Sequence, residues 1–246
     1  MQRIFLISIP LLAFVFTSNA QSIPLPREAD KWKIVSAFFE GKYDAGRGVY
    51  KLGEKHGDPS EEPYLWVDTT FRYKLADKEY QHVICVKSQK DNECVGCQVA
   101  VSQIRLVFDK AKNGWVKDFF IEDQFECGSL GQPGAFALLP ITHTEVALAV
   151  EDDFFKDGLM TTWYYLYSKN DRLLEMKLVE DNEGTGVDEG SVYSFQASID
   201  VDKARGIITI QRFGTQPATD KSGKTTVQPV KETIRYLYKE GKLVRI

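Results

Sequence analysis

The sequence lacks the local signatures of common enzyme and metal sites. It contains no G-x-S-x-G segment around a serine nucleophile and no H-E-x-x-H pair for zinc. Its histidines, His56, His82 and His143, stand far apart in the chain. A nucleophile and its base can still meet in the fold, so dispersed catalytic residues are not excluded. The sequence names no reaction and predicts no cofactor, and for His82, in a predicted strand, a structural role is favoured.

A strong charge of one sign and a long apolar run beyond the N-terminus are also absent. Lys and Arg number 31 against 35 Asp and Glu, for a formal net charge of −4, and both signs are mixed along the chain. Nucleic-acid-binding proteins present a concentrated basic surface instead. After residue 20 no segment reaches the roughly 20 apolar residues of a membrane-spanning helix. We expect no nucleic-acid partner and no transmembrane segment in the mature chain.

The N-terminus has the three parts of a secretory signal peptide. Arg3 precedes an apolar stretch, and the small residues Ser18 and Ala20 precede Gln21. A positive start, an apolar core and small residues one and three positions before the cut are typical of a cleaved leader. We predict a signal peptide over 1–20 and a periplasmic or secreted location.

One amphipathic helix is predicted near the start of the mature chain. Trp32, Val35, Phe38 and Phe39 recur at spacings of three and four residues within 27–40. This period is that of a helix with one apolar face, which we expect to pack on the body of the protein. The Gly- and charge-rich stretch that follows, 46–63, is predicted to be a long loop.

Beyond Pro63, alternating apolar segments are separated by short polar turns such as Asn113-Gly114. Asn-Gly favours a tight hairpin because both residues tolerate a positive φ. Successive hairpins without intervening helices predict a mainly β fold, an antiparallel meander arranged as a sandwich, a curved sheet or an irregular propeller. Three of the hairpins look alike, which generic hairpins explain as well as a repeat does. We expect one β-rich globular domain over 21–246. The predicted strand pairs are 64–75 with 80–87, 99–108 with 115–121, 162–167 with 173–179, 191–201 with 206–213, and 233–238 with 243–246.

Four cysteines remain after leader removal: Cys85, Cys94, Cys97 and Cys127. An even number in an exported chain favours structural disulfides. We favour Cys94–Cys97 at a hairpin tip with Cys85–Cys127 between neighbouring strands; Cys85–Cys97 with Cys94–Cys127 is the rival pairing. A redox C-x-x-C would be expected to open a helix, whereas the residues after Cys97 alternate like a strand. A zinc site requires a second pair of Cys or His ligands, and the remaining cysteines and histidines are scattered along the chain.

Two acidic regions offer weaker signals. The loop around residues 180–190 carries Asp181, Glu183, Asp188 and Glu189 among glycines, oxygen ligands that calcium would accept. It departs from the EF-hand pattern, and a solvated hairpin loop is the preferred interpretation. Paired carboxylates of a glycosidase could also lie among these acids or those of 151–153.

Trp163, Tyr165 and Tyr167 fall on one face of a predicted strand, while Tyr164 and Leu166 fall on the other. An exposed aromatic face stacks on sugar rings or on a partner protein. A strand that is buried on both faces is the simpler explanation. These three residues are nevertheless the candidate ligand-binding residues.

The stretch ECVGCQVAVSQIRLVFDKAKNGWVKDFF, continuing through GSLGQPGAFALLPI to HTEVALAVEDDFFKDG, carries a recognisable order of features. A C-x-x-C, an apolar strand, a Gly-Trp turn, a Gly-rich loop and a further strand follow one another. This order resembles that of a group of exported bacterial β-rich proteins with a C-x-x-C hairpin and no assigned activity. The resemblance implies a periplasmic or secreted location and no residue role.

Together these features favour an exported, non-catalytic binding or interaction protein whose ligand is an unknown protein, glycan or small molecule. The alternative is an extracytoplasmic hydrolase acting on a glycan or a peptide. A deep pocket with convergent polar groups would favour the enzyme, and a broad aromatic surface would favour the binding protein.

Overall fold

The structure is a computed structural model that describes residues 24–53, 63–89, 97–169, 171–185 and 191–246. The predicted signal peptide lies outside these ranges. Within them the chain forms fifteen strands, a short α-helix and a 3-10 turn at Glu183–Thr185. No helix in the described part is long and apolar enough to cross a membrane.

The strands form two antiparallel sheets, and the fold is mainly β as predicted. The first sheet contains β1 (Leu25–Pro26), β2 (Gly41–Asp44), β3 (Val49–Leu52), β4 (Tyr64–Leu75), β5 (Lys78–Ser88), β6 (Val99–Asp109) and β7 (Gly114–Cys127). The second contains β8 (Ala135–Pro140), β9 (Val146–Lys156), β10 (Leu159–Tyr167), β11 (Arg172–Asp181), β12 (Ser194–Asp202), β13 (Ile207–Thr219), β14 (Thr225–Lys239) and β15 (Lys242–Arg245).

Strand order follows chain order almost throughout, which is the predicted meander. The first sheet runs β1-β7-β6-β5-β4-β3-β2 and the second runs from β15 to β8 in unbroken sequence. One of the two sheets is curled into a half-barrel. Two-residue turns join several neighbours, and both Asp157-Gly158 and Glu240-Gly241 have positive φ at each position. This turn geometry matches the twist of antiparallel strands, which explains why these hairpins close tightly.

The core consists of three apolar clusters, of which one joins the two sheets. One face of the first sheet, with Val83, Cys85 and Ile104, packs against the N-terminal helical segment. The opposite face contributes Ile84 to a cluster shared with Leu148 of the second sheet. The third cluster lies within the second sheet. Because β5 alternates its side chains between two covered faces, it is buried along most of its length.

The predicted helix over 27–40 is not confirmed. The α-helix covers only Lys31–Val35, where Asp30 accepts a hydrogen bond from the Lys33 N–H at 2.8 Å as its N-cap. Past Val35 the chain tightens into three-residue turns and reaches Gly41, whose missing Cβ would lie 2.1 Å from the Lys51 carbonyl oxygen. Only glycine fits there, so Gly41 permits the close pairing of β2 with β3 that begins at this residue. The aromatic stripe packs on the first sheet without a long helix.

The predicted loop over 46–63 is wrong in its first part. Lys42, Tyr43 and Asp44 of β2 pair with residues 49–51 of β3 in a short hairpin. Charged and glycine residues hide this strand pair in the sequence, because its only strong apolar signal is Val49-Tyr50. Residues 54–62 lie outside the described ranges.

The favoured disulfide Cys85–Cys127 is wrong, since both thiols are free and buried. Cys85 packs on the helix-covered face of the first sheet, whereas Cys127 belongs to the cluster on the opposite face. Side chains on opposite faces of a sheet cannot be bridged. The rival pairings Cys85–Cys97 and Cys94–Cys127 are also wrong, because Cys85 and Cys127 are free thiols. Cys94 lies outside the described residues and Cys97 is not among the free thiols, so Cys94–Cys97 stays a prediction.

Candidate functional site

The candidate site is built around β8, the strand that ends the second sheet. β8 pairs with β9 alone, from Ala135 opposite Glu151 to Pro140 opposite Val146. Its other edge has no partner strand among the described residues. An unpaired edge presents a row of backbone N–H and C=O groups that a further strand can use.

The register shows which backbone groups of β8 point outward. After β8, the Ile141 N–H donates to the Glu145 carbonyl at 2.9 Å and closes the turn. Hydrogen-bonded and non-hydrogen-bonded pairs alternate along an antiparallel ladder. Phe136 and Leu138 therefore sit in non-hydrogen-bonded pairs with β9, and their N–H and C=O groups face away from it.

A cavity of about 760 Å³ lies between β8 and β4. Its walls include the consecutive residues Thr70–Ala76 of β4 and Phe136–Leu138 of β8. Consecutive residues line a cavity along the edge of a strand, because the side chains of one face would contribute only every second residue. β4 pairs with β3 only at Tyr64 and Leu65, so its edge at this cavity has no described partner either.

A smaller cavity of about 440 Å³ lies on the other side of β8. It is lined by Ala135–Leu139 of β8 and by Ala197–Ile199 of β12, past the point where the pairing of β12 with β11 ends at Gln196. Its polar groups include Glu151 and Tyr164. Burial, with the Glu151 charge as a smaller cause, raises the pKa of Tyr164 to about 12, so this phenol stays protonated at neutral pH.

The two cavities differ in charge. The lining of the larger cavity contains Arg72, Lys74, His143 and Lys203 and no acidic residue. The Arg72 guanidinium lies 5.9 Å from the centroid of the Trp115 ring, and Lys74 and Lys203 add two further cations to the lining. In a chain of net charge −4 this is a local reversal of sign. The walls beneath are apolar, from Phe71 and Phe136.

The predicted ligand-binding residues form an aromatic ladder on β10. Ring centroids of Trp163 and Tyr165 are 6.3 Å apart, as are those of Tyr165 and Tyr167. Tyr167 stacks on Phe125 of the first sheet, which extends the ladder across the sheet interface. Tyr165 and Tyr167 pack in the cluster between the sheets, and Trp163 is half-buried. The structure confirms that the three share one face; ligand binding by them stays a prediction.

Cations flank this ladder. Lys177 Nζ lies 5.5 Å from the Trp163 ring centroid, and the Arg172 guanidinium lies 5.9 Å from that of Tyr165. A cavity of about 270 Å³ opens at the Tyr167 end, with Arg172 in its wall. It is smaller than either cavity beside β8.

A buried polar chain crosses the first sheet near the turn between β10 and β11. His82 Nε2 lies 2.8 Å from Gln103 Oε1, Gln103 in turn donates to Gln124, and the Gln124 amide donates to the Ser168 carbonyl at 3.2 Å. His82 Nδ1 has no partner. Burial, reinforced by the nearby Arg105 charge, lowers the pKa of His82 to about 4. This neutral imidazole fits the predicted structural role.

The acidic signals are dispersed or structural. Asp181 Oδ1 accepts from the Glu183 N–H at 2.8 Å in a local turn, while Asp188 and Glu189 lie outside the described residues. The described ranges hold no cluster of three or more potential metal ligands, so the calcium site stays a prediction. Asp152, whose pKa is raised by burial, accepts the Gly128 N–H with both carboxylate oxygens at 3.0 Å. That contact fixes the chain where it leaves the first sheet.

Sequence reasoning missed β8 and both cavities beside it. The signal that could have found the strand is the alternation of Ala135 and Ala137 with Phe136 and Leu138, a period of two between glycine and proline. Comparison with protein-family models, with curated proteins and with solved structures gave no match.

Proposed function

We propose that this chain is a non-catalytic binding protein whose ligand lies along β8. The observation that carries the proposal is that two cavities, of about 760 Å³ and 440 Å³, share Phe136, Ala137 and Leu138 of a strand with one unpaired edge among the described residues. Binding sites are concave, mostly apolar and provided with a few polar groups that fix orientation. The cavities beside β8 combine apolar walls with unpaired backbone groups and a basic rim.

The arrangement supports binding more than catalysis. Residues around the larger cavity supply cations and hydroxyls, and an acid–base pair within hydrogen-bond distance does not occur among those described there. General acid–base chemistry requires such a pair in reach of the reacting atoms. The hydrolase alternative gains no specific support from these groups.

The test is a ligand panel that spans the three predicted classes: a decapeptide alternating Val and Glu, cellohexaose, and dodecanoate. Binding is followed by the backbone amide NMR shifts of the 15N-labelled protein. We expect at least one probe to shift the amides of Phe136 and Leu138 saturably. Ala137→Trp, which fills the shared wall, abolishes that shift, whereas Ala111→Trp in the exposed turn after β6 leaves it intact. Failure of all three probes to shift β8 would overturn the proposal.

A further inference from the structure

We infer that the ligand along β8 is an extended polypeptide segment that joins the second sheet as an added strand. This inference rests on the function proposed above and names the class of its ligand. Strand addition uses backbone hydrogen bonds for affinity and pockets for alternate side chains for specificity.

β8 differs from the other strands that end a sheet. β2 and β15 have four residues each and carry charges, such as Lys42 and Lys242, and β1 has two residues, one of them proline. β8 has six residues, none of them charged. Charged side chains, proline and short length are the usual protection of an edge against pairing. β8 is the least protected sheet end, and only its last residue, Pro140, blocks pairing.

The cavities match the geometry of an added strand. Successive side chains of a strand point to opposite faces, and the larger and smaller cavities lie on opposite sides of β8. Side chains of a strand paired with Phe136 and Leu138 would enter the two cavities in turn. Six residues at about 3.3 Å each span roughly 20 Å, so the site accommodates a segment of about six residues.

Charge at the rim defines the segment further. Lys74 and Lys203 border the larger cavity without an acidic neighbour in its lining. Exposed cations attract acidic side chains and raise the association rate more than the affinity. The segment therefore carries acidic residues on the side that faces β4, with apolar residues on the side of Ala197 and Ile199.

The walls argue against a second copy of the chain as the occupant. Pairing of two β8 strands would place a whole sheet beside the edge, whereas β4 and the turn at Lys203 already border that space. A single extended segment needs only about 4.8 Å in the plane of the sheet. A peptide strand fits the space that a second sheet would not.

The first experiment compares two substitutions at one residue. Leu138→Pro removes the outward N–H without breaking the ladder to β9, while Leu138→Ala trims the side chain and keeps the N–H. Both variants are titrated with the Val–Glu decapeptide, followed by fluorescence anisotropy. We expect Leu138→Pro to bind at least tenfold more weakly than Leu138→Ala. Equal affinity of the two variants would overturn strand addition.

The second experiment varies the peptide and the charge. A decapeptide N-methylated at alternate residues keeps its side chains but loses backbone donors, and we expect it not to bind. The double variant Lys74→Glu, Lys203→Glu should bind the Val–Glu decapeptide at least tenfold more weakly than the wild type does. It should bind a Val–Lys decapeptide more tightly. Lys42→Glu with Lys242→Glu, the same charge change on other end strands, should leave both affinities unchanged.

The outcomes separate this inference from the proposed function. Saturable binding of dodecanoate or cellohexaose along β8, with no binding of the peptide, would support the proposed binding function. It would overturn the inference that the ligand is a peptide segment. If analytical ultracentrifugation shows a dimer that Leu138→Pro dissociates, the occupant of the β8 edge is a second copy of the chain. That result would overturn the inference of a separate peptide segment. Binding of none of the probes would overturn both.

Discussion

Phe125 and Tyr167 stack across the two sheets, with ring centroids 3.9 Å apart and ring planes 7° from parallel. Phe125 comes from β7 and Tyr167 from the end of β10, and both belong to the apolar cluster between the sheets. The pair couples the candidate ligand-binding residues of β10 to the packing of the first sheet.

We expect this pair to contribute to stability beyond the apolar area it buries. In a double-mutant cycle of Phe125→Leu and Tyr167→Leu, urea unfolding should give a coupling free energy of about 0.5–1.5 kcal/mol. Phe125 with Tyr164, which faces the other side of β10, is the control pair and should be additive. A coupling near zero for Phe125 and Tyr167 would show that the stacking adds nothing to burial.

His82 should make the protein less stable in mild acid. Burial lowers its pKa to about 4 in the folded protein, against 6.5 for an exposed histidine. Between these pH values His82 binds a proton in the unfolded chain but not in the folded protein. The free energy of unfolding therefore falls as the pH decreases. The contribution is complete above pH 6.5 and is lost by about pH 4, at a cost of about 3 kcal/mol.

The measurement is urea unfolding at several pH values for the wild type and His82→Gln, which does not titrate. The variant isolates the histidine from buried carboxyls such as Asp152, whose raised pKa acts in the opposite direction. The wild type should lose stability relative to the variant on acidification. Parallel curves for both proteins would contradict the buried neutral imidazole.

Cys85 and Cys127 should be unreactive in the folded protein. Burial raises the pKa of both thiols, that of Cys127 to about 12, so neither forms the reactive thiolate at pH 8. Iodoacetamide should leave both unlabelled in buffer and label both in urea without reductant, as read by peptide mass spectrometry. Labelling in urea that requires a reductant would restore the disulfide between them.

Gly134 should be needed for the position of β8. A Cβ at this residue would lie 2.3 Å from the Glu151 carbonyl oxygen, so Gly134→Ala must push the start of β8 away from β9. We expect a loss of roughly 1–3 kcal/mol in urea unfolding. Gly46→Ala, where the closest contact would be 3.4 Å, is the control and should change stability by less than about 0.5 kcal/mol. Equal effects of the two substitutions on the free energy of unfolding would show that the close approach at Gly134 does not determine stability.

The hairpins of the fold could be predicted from local patterns. The turn at Asn113-Gly114 and the alternating apolar residues on either side of it predict β6 and β7, which pair as expected. β8 has a weaker local signal: Ala135 and Ala137 alternate with Phe136 and Leu138, but alanine carries little strand preference. Its strand conformation comes from pairing with β9 and from packing of Phe136 in the cluster between the sheets.

The cysteine pairing failed for a reason that sequence spacing does not contain. Cys85 pairs with Ser102 and Cys127 pairs with Val99, and both partners belong to β6. Val99 and Ser102 are an odd number of residues apart, so they and the two thiols beside them point to opposite faces of the sheet. This long-range register has no signal in the local sequence around either cysteine. The candidate site itself depends on β4, β8 and β12 coming together, which no single segment specifies.

Among the described strands, the chain passes from the first sheet to the second at one point, through residues 128–134. During synthesis the first sheet has all its strands once Cys127 has emerged, and it can assemble before the second half of the chain exists. Its side with Ile84 and Val101 then stays uncovered until β9 and β10 follow. The order of synthesis thus separates the completion of the first sheet from the covering of its Ile84 face, and apolar strand surface exposed in such an interval favours aggregation.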